Sequence, residues 1–371
     1  MAQTKKQINL ALQGGGSHGA FTWGVLDRLL EEDKLDIAAI SGTSAGAMNT
    51  AVLADGMAQG GRAGAREKLD SFWRAVAQAA VFSSIQRSWL DMFMGNWDLD
   101  MSPSYHFFST MTRFWSPEQL NPLNINPLRD ILDNHVDFEN VVRCTQMQLF
   151  ISATNVETGR VRVFNRQEIS SDVVMASACL PFLYPAVEIE GVPYWDGGYA
   201  GNPPLFPFST WSNCNDILIV QINPIEREGT PSTAHDIHNR INEITFNQSL
   251  LKELRAIDFV HRLLEEGRLD SEQYRDMKVH IIHGAEELKA LGASSKMNAE
   301  WRFLIHLRDI GRQTADDWLT AHFDDIGERS TIDLRAMFDG ILNKLTPLQD
   351  NPVHDETEKA DRSDPYHRKM V

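Results

Sequence analysis

The sequence predicts an α/β fold in which helices pack on the faces of a mainly parallel β-sheet. Two observations lead to this expectation. The first fifty residues hold two strand–turn–helix units in succession, and three short apolar runs farther along the chain are typical of buried strands. Parallel neighbours in a sheet need a long crossover connection, and a helix is its usual form. Repeated units of this kind therefore predict a parallel sheet covered by helices.

The elements of the two units follow one another directly. A buried strand at residues 8–12 leads into a glycine run, and apolar spacing predicts a helix at residues 20–32. The second unit has a strand at residues 37–40, a sharp turn at residues 42–46 and a helix that begins near Ala47. Further buried strands are expected at residues 149–153, 218–222 and 279–283.

Helices dominate the remainder of the chain. From about residue 232 an apolar stripe predicts a long helix, and residues 301–323 form a second amphipathic run. The stripe consists of Ile237, Ile241, Ile244, Leu251, Leu254 and Leu264. We therefore predict a core domain at residues 1–231 and a helical extension, packed on this core, at residues 232–348 that includes the late strand. A polar tail at residues 349–371 is expected to be disordered.

Composition and charge limit the function. With 371 residues, 42% hydrophobic and 23% charged, the chain can bury a large core, which excludes a mainly disordered or fibrous protein. The 35 basic and 51 acidic residues give a net charge of −16. Such a chain has no overall field to attract nucleic acid or anionic lipid. Nucleic acid is therefore excluded as a partner, and peripheral contact with a lipid or granule surface would have to be local and apolar.

Cysteine usage and the N-terminus favour a reduced, soluble, cytoplasmic protein. Cys144, Cys179 and Cys214 are widely separated, which excludes a disulfide scaffold and a zinc or redox motif. The apolar run at residues 8–12 is too short for a signal-peptide core. The sequence also has no stretch of 18 apolar residues, the length that would be needed to span a bilayer.

An aromatic segment at residues 82–115 interrupts the α/β pattern. It holds nine aromatic residues and four methionines, namely Phe82, Trp89, Phe93, Trp97, Tyr105, Phe107, Phe108, Phe114, Trp115, Met92, Met94, Met101 and Met111. More than half of these aromatic and methionine side chains are expected to be core. Breaks in the segment predict a mobile cover, in which Phe93 and Trp97 would engage an insoluble substrate.

The second turn has the pattern of a nucleophile elbow. Gly42-x-Ser44-x-Gly46 follows a strand and precedes a helix, and small residues let such a turn present a serine hydroxyl at the strand end. The alternative is a structural glycine turn with an ordinary serine.

The first turn offers backbone donors for an oxyanion. Gly14, Gly15 and Gly16 lie at a strand end with no side chain to block a substrate, and the amide of Ala45 would be a further donor. The spacing of Gly14, Gly16 and Gly19 also fits a dinucleotide-binding loop. That reading is disfavoured because the second strand does not end in an acidic residue.

The base that would activate Ser44 has two candidate types. His280 or His283 could complete a triad of the α/β-hydrolase type. In that fold, however, several strands precede the elbow, whereas here it follows only the second predicted strand. We therefore favour the interpretation that they are one core-facing and one solvent-facing residue of a strand. Asp196, followed by Gly197 and Gly198, could be a β-turn aspartate or a carboxylate held against Ser44.

Taken together and in this order, these motifs resemble those of the patatin-like phospholipases. The resemblance extends to Ala176-Ser177-x-x-x-Pro181, to Pro185 and to Asn202-Pro203, and it covers residues 8–207. It implies a three-layer α/β/α sandwich, a Ser44–Asp196 dyad without a histidine, and an oxyanion hole from the first glycine loop. Gly19, Gly42, Gly46, Gly197 and Gly198 would be supporting motif residues. No metal and no organic cofactor is implied.

The resemblance also carries departures and an open substrate. The family usually has a basic residue where His18 stands, so a fixed positive charge near the oxyanion loop is in doubt. The region 232–345 is similar to the extension of a bacterial subgroup, mainly through residues 294–298 and 301–318. The implied substrate is an acyl ester of a lipid. A storage-polyester depolymerase, a short-chain carboxylesterase and a non-catalytic binding protein are the alternatives, and the oligomeric state is left open.

Overall fold

A computed structural model describes residues 5–338 except 82 and 84. The described residues up to Leu334 form one compact unit. The predicted tail at residues 349–371, the end of the predicted extension and Phe82 lie outside the described residues. The division at residue 231 stays a prediction.

Within the described residues, eight strands form one sheet. They are β1 (Lys6–Leu12), β2 (Leu35–Gly42), β3 (Gln148–Asn155), β4 (Val161–Asn165), β5 (Val187–Ile189), β6 (Val192–Asp196), β7 (Asp216–Gln221) and β8 (Lys278–His283). Their order is β5-β6-β3-β2-β1-β7-β8, with β4 also paired to β3. The strands β3, β2, β1, β7 and β8 run parallel, whereas β4, β5 and β6 enter antiparallel pairs.

Thirteen helices are described. They are α1 (Gly19–Leu29), α2 (Ala45–Ala80), α3 (Trp89–Phe93), α4 (Pro103–Phe114), α5 (Pro117–Leu120), α6 (Pro127–His135), α7 (Phe138–Arg143), α8 (Ser171–Ser177), α9 (Phe206–Trp211), α10 (Ala234–Glu265), α11 (Ala285–Lys289), α12 (Trp301–His322) and α13 (Leu334–Phe338). Four short 3-10 turns lie at Gly16–His18, Gly197–Tyr199, Ala293–Met297 and Phe323–Asp325. Helices flank the central sheet, so the predicted α/β/α sandwich is confirmed.

All five predicted strands are present, and three antiparallel strands were missed. β4 has mainly partly exposed and polar positions, β5 has three residues, and β6 contains Pro193. Short strands with little apolar periodicity give a weak sequence signal, and a proline argues against a strand. Two of these strands, β4 and β6, pair with β3, and β5 pairs with β6 at the edge of the sheet.

Helix α12, from the C-terminal part of the chain, packs closely on α1. Phe21, Trp23, Phe303 and Leu307 are buried in the main hydrophobic core. The α10 stripe was predicted less well, because Leu254 is buried while Ile237, Ile241 and Ile244 are exposed. Within the part of the chain that the structure describes, no helix has the length and apolar character needed to cross a bilayer.

The aromatic segment differs from its prediction. Among its described aromatic residues none is fully buried, and Trp89, Phe93, Phe107, Phe114 and Trp115 are exposed. The expectation that more than half of these side chains are core is therefore wrong. Trp97 is the reverse case: its ring is half-buried, 5.2 Å from the ring of Phe303 between centroids, so it belongs to the packing rather than to an exposed cover.

Candidate active site

Ser44 occupies a strained turn between β2 and α2. Its φ of 55° and ψ of −120° lie outside the regions that ordinary residues prefer, as expected for a nucleophile elbow. The turn is tight: a Cβ on Gly46 would lie 2.2 Å from the carbonyl oxygen of Leu12, and one on Gly42 would lie 2.5 Å from Thr50 Oγ1. Only glycine fits at either position, which explains the spacing of the motif.

The elbow backbone is held from the outside. The Ser44 amide donates a hydrogen bond of 2.9 Å to the hydroxyl of Ser177, the last residue of α8. Helix α2 begins at Ala45, so its positive end lies directly behind the serine. Ser177 was part of the sequence resemblance, but its contact could not be read from the pattern.

Sheet register brings Asp196 to the level of Ser44. Gly42 pairs with Ile151 of β3, and Ala153, two residues farther along β3, pairs with Asp196 of β6. Ser44 likewise lies two residues beyond Gly42. The two residues therefore sit at one edge of the sheet with only β3 between their strands, although 152 positions (196 − 44) separate them in the chain.

Asp196 is a fixed, buried carboxylate. Its amide donates to the Cys179 carbonyl at 2.8 Å, its carbonyl accepts from Thr154 Oγ1 at 2.8 Å, and its Oδ1 accepts from the Gly198 amide at 2.7 Å. Oδ2 is buried and accepts no hydrogen bond of normal distance and angle from a described residue. That oxygen is the part of the carboxylate with capacity to accept a proton.

Burial raises the pKa of Asp196 to about 7. Desolvation is the main cause, and the Gly198 amide, the Ser44 side chain and the charge of Lys296 oppose it. Oδ2 accepts no hydrogen bond from the Ser44 hydroxyl, so the two residues lie at one edge of the sheet without a direct hydrogen bond between their side chains.

The first glycine loop lies against the elbow. Leu12 pairs with Gly42, so Gly14 stands beside Ser44, and a Cβ on Gly14 would lie 2.6 Å from the Ser44 Cβ. The Gly14 amide donates to Asn202 Oδ1 at 2.7 Å. An amide has one hydrogen, so Gly14 is not free to hold an oxyanion here. This corrects the expectation for Gly14, whose role is close packing.

Three other backbone donors are available. Among the described residues, none accepts a hydrogen bond from the amides of Gly15, Gly16 or Ala45. Gly16 has a φ of +58°, which favours glycine. The remaining motif glycines serve close approach: a Cβ would lie 2.6 Å from Ala45 Cβ at Gly19, 2.3 Å from the Ser152 carbonyl oxygen at Gly197, and 2.3 Å from the Phe246 ring at Gly198.

His18 is buried and neutral. Its Nε2 lies 2.7 Å from Ser295 Oγ, whose own hydrogen goes to the Gly292 carbonyl at 2.7 Å. The imidazole nitrogen must therefore be the donor to Ser295. Desolvation, followed by the charges of Lys296 and Arg227, lowers the pKa of His18 well below its usual value. His18 thus supplies no fixed positive charge.

The two histidines of β8 lie away from Ser44. His280 pairs with Leu218 on the far side of β1 and β7, is fully buried, and has its Nε2 3.0 Å from Asp216 Oδ1. His283 is exposed. They are the predicted core-facing and solvent-facing pair, and neither joins the site. No cluster of metal-ligating side chains occurs among residues 5–338 as described.

Comparison with known proteins gives one family. The sequence model of the patatin-like phospholipases matches residues 10–209, more than half of the chain. A curated relative, the uncharacterized protein R571 of Acanthamoeba polyphaga mimivirus, is 28% identical over 211 residues, which are 54% of this chain and 61% of that protein. The chain thus spans about three fifths of this relative's length.

Two solved structures are also similar. VipD from Legionella pneumophila is 16% identical with a TM-score of 0.34, covering 85% of this chain and 67% of that one. ExoU from Pseudomonas aeruginosa, in complex with SpcU, is 15% identical with a TM-score of 0.31, covering 88% of this chain and 60% of that one. The match of the family model, which spans the elbow, the first glycine loop and the aspartate, shows that the chain belongs to the patatin-like phospholipase family.

Proposed function

We propose that this protein hydrolyses acyl esters of lipids with a Ser44–Asp196 dyad. The observation that supports the proposal is the sheet register, in which Ser44 and the buried Asp196 lie at the same level of the sheet with only β3 between their strands. Family membership supports a lipid-hydrolysing enzyme. A short-chain carboxylesterase would use the same dyad, and a binding protein with this fold would have no need for the strained serine.

In the proposed mechanism Ser44 Oγ attacks the ester carbonyl while its proton moves to Asp196. The carbonyl π electrons pass to oxygen, which the free amides of Gly15, Gly16 and Ala45 stabilise. When the tetrahedral intermediate collapses, the C–O bond to the alcohol breaks and Asp196 returns the proton to the leaving oxygen. Asp196 then takes a proton from water, whose oxygen attacks the acyl-enzyme carbonyl. When this second intermediate collapses, the bond between the acyl carbon and Ser44 Oγ breaks, and Asp196 returns the proton to Oγ, which frees the acid and restores Ser44.

The substrate class rests on the exposed surface of the aromatic segment. Phe93 and Trp89 are 84% and 75% exposed, and helix α4 has no buried residue. An apolar surface of this extent suits contact with an aggregated ester. A membrane lipid and an amorphous storage polyester both offer such a surface, so phospholipid is proposed first and polyester second.

A covalent probe tests the nucleophile. We expect a fluorophosphonate to label Ser44, and Ser44→Ala to lose labelling and p-nitrophenyl ester turnover together, with a rate loss of about 10³-fold or more. Ser209→Ala, a change at an exposed serine of α9, is the matched control and should keep both. Labelling at another serine, or turnover by Ser44→Ala, would contradict the assignment.

A substrate panel then separates the alternatives. One preparation is assayed on phospholipid vesicles, triacylglycerol emulsion, amorphous polyhydroxyalkanoate and a soluble aryl ester. Preference for vesicles supports the first proposal, and preference for the polymer supports the second. Turnover of the soluble ester alone would favour a short-chain carboxylesterase.

A further inference from the structure

Lys296 reaches the glycine loop from the far end of the chain. It lies in the 3-10 turn Ala293–Met297, which packs on the turn Gly16–His18. A Cβ on Gly16 would lie 2.5 Å from the Lys296 carbonyl oxygen and 3.4 Å from its Cβ. The lysine backbone is thus in direct contact with the loop that offers oxyanion donors.

The ammonium group is tied to the same loop. Lys296 Nζ donates to Asn223 Oδ1 at 2.6 Å, and Asn223 Nδ2 donates to the Gly14 carbonyl at 2.8 Å. Asn223 is itself fixed, because its backbone N–H donates a hydrogen bond of 2.9 Å to Gln13 Oε1. Among the described residues no other group accepts a hydrogen bond from Nζ. The Asn223 side chain therefore positions the ammonium group, whose other two hydrogens remain available for donation.

The neighbouring charges leave Lys296 as the cation that acts on the site. Arg227 lies nearby, but it forms a bidentate ion pair with Glu243, which Arg240 also contacts at 3.2 Å. His18 is neutral. Lys296 has no ion pair within 4.0 Å among the described residues, and its charge lowers the pKa of both Asp196 and His18. Desolvation is the main reason why the pKa of Lys296 is lowered to about 8. The charges of Glu243 and Asp196 oppose this lowering, and the charge of Arg227 adds to it.

We propose that Lys296 is the electrostatic positioning residue of the active site, contributed by the C-terminal part of the chain. Held by Asn223 against the glycine loop, it supplies positive potential where the carbonyl oxygen becomes negative, and the same charge favours the carboxylate form of Asp196. The inference rests on the proposed esterase function. It also gives the turn at residues 293–297 a part in the chemistry, so that residues outside the family match complete the site.

Three variants test the proposal with a soluble p-nitrophenyl ester. Lys296→Met removes the charge and retains a similar length, Lys296→Arg retains the charge, and Lys252→Met removes an equal charge from an exposed position of α10. We expect kcat to fall about 10²-fold in Lys296→Met with little change in KM. Lys252→Met should match the wild type, and Lys296→Arg should keep most of its rate.

The pH profile separates an electrostatic role from a packing role. Lys296→Met should shift the acid limb, which reports Asp196, to higher pH, because a nearby cation favours the carboxylate. The wild type should also lose activity above pH 8 as Lys296 loses its proton. That alkaline limb should be absent in Lys296→Met, and in Lys296→Arg because a guanidinium stays charged. A Lys296→Met profile with both limbs unchanged would overturn the proposal.

A measurement without turnover keeps the inference independent of the proposed function. The pH dependence of Lys296 acetylation by acetic anhydride, followed by mass spectrometry, gives the pKa of its ammonium. Asp196→Asn should lower that pKa, since it removes a negative charge. An unchanged pKa would overturn the coupling. Coupling without ester turnover by the wild type would instead show that the proposed function fails.

Discussion

At Asp196, desolvation raises the pKa of the carboxyl to about 7, while the Gly198 amide, the Ser44 hydroxyl and the Lys296 charge lower it. A carboxylate with that pKa is a stronger base than one near its ordinary value of about 4. The position is therefore poised to accept a proton near neutrality, at the expense of folding stability. Both effects can be measured as functions of pH.

We expect the Asp196 charge to appear in both activity and stability. Since only the carboxylate accepts a proton, turnover should rise with pH through about 7, and Asp196→Asn should lose about 10³-fold. The folded state keeps the proton between the unfolded pKa of 3.8 and about 7, so the stability of the wild type falls as pH rises through this window. The melting temperature of Asp196→Asn relative to wild type should therefore increase by a few degrees from pH 4.5 to 8.

The matched control is His283→Ala, an exposed change on β8 that should leave the pH profile unaltered. His280→Ala is less suitable, because it removes a buried partner of Asp216 and would disturb folding. Were the difference in melting temperature between Asp196→Asn and wild type the same at every pH, the raised pKa would be wrong.

At the scale of elements, α1 and α12 approach each other through two glycines. A Cβ on Gly24 would lie 2.0 Å from the Arg308 carbonyl oxygen, and one on Gly311 would lie 2.1 Å from the Phe21 carbonyl oxygen. Both obstacles are backbone atoms, which cannot rotate away. The two helices can pack at this distance only because neither position carries a side chain.

We expect Gly311→Ala to destabilise the protein although alanine favours a helix by about 1 kcal/mol over glycine. Separating the helices disturbs a packed core, and overpacking commonly costs about 1–3 kcal/mol. Thermal unfolding should show a lower melting temperature. Gly60→Ala is the control, because it lies at the kink of α2 with a φ of −144° and no atom within 4 Å of an added Cβ. A melting temperature of Gly311→Ala above that of the wild type would show that the interface between α1 and α12 can accommodate a methyl group.

On the scale of the whole molecule, a net charge of −16 coexists with an exposed apolar surface on α3, α4 and α5. The charge opposes attraction to anionic surfaces, so under the proposed function apolar contact would bring the protein to an aggregated ester. Trp97 is not part of this surface, since its ring packs against Phe303, His306 and the guanidinium of Arg87.

We expect Trp89→Ser combined with Phe93→Ser to reduce hydrolysis of vesicles or polymer about tenfold more than hydrolysis of a soluble ester. The melting temperature should change little, because both side chains are exposed. Trp97→Ser should instead lower the melting temperature by several degrees and affect both substrates alike. Trp211→Ser, an exposed change on α9, is the matched control. Equal loss on both substrates in the double variant would exclude the surface contact.

The parallel half of the sheet and the residues proposed to carry the chemistry could be predicted from sequence alone. Apolar runs with glycine turns are local signals, so β1, β2, β3, β7 and β8 could be predicted from short windows of residues. The elbow spacing, the first glycine loop and Asp196-Gly197-Gly198 are local as well, because close backbone approach requires glycine wherever it occurs.

Tertiary structure decided what those residues contact. The pairing of Asp196 with Ala153 depends on β6, a short antiparallel strand that contains Pro193 and has little apolar periodicity. The Gly14 amide donates to Asn202, which lies about 190 positions farther along the chain (202 − 14). Lys296 contacts Gly16 from about 280 positions away (296 − 16). The half-burial of Trp97 depends on Phe303 of α12. No local pattern encodes such contacts, because the residues are far apart in the sequence and come together only when the sheet and the helices that cover it have packed.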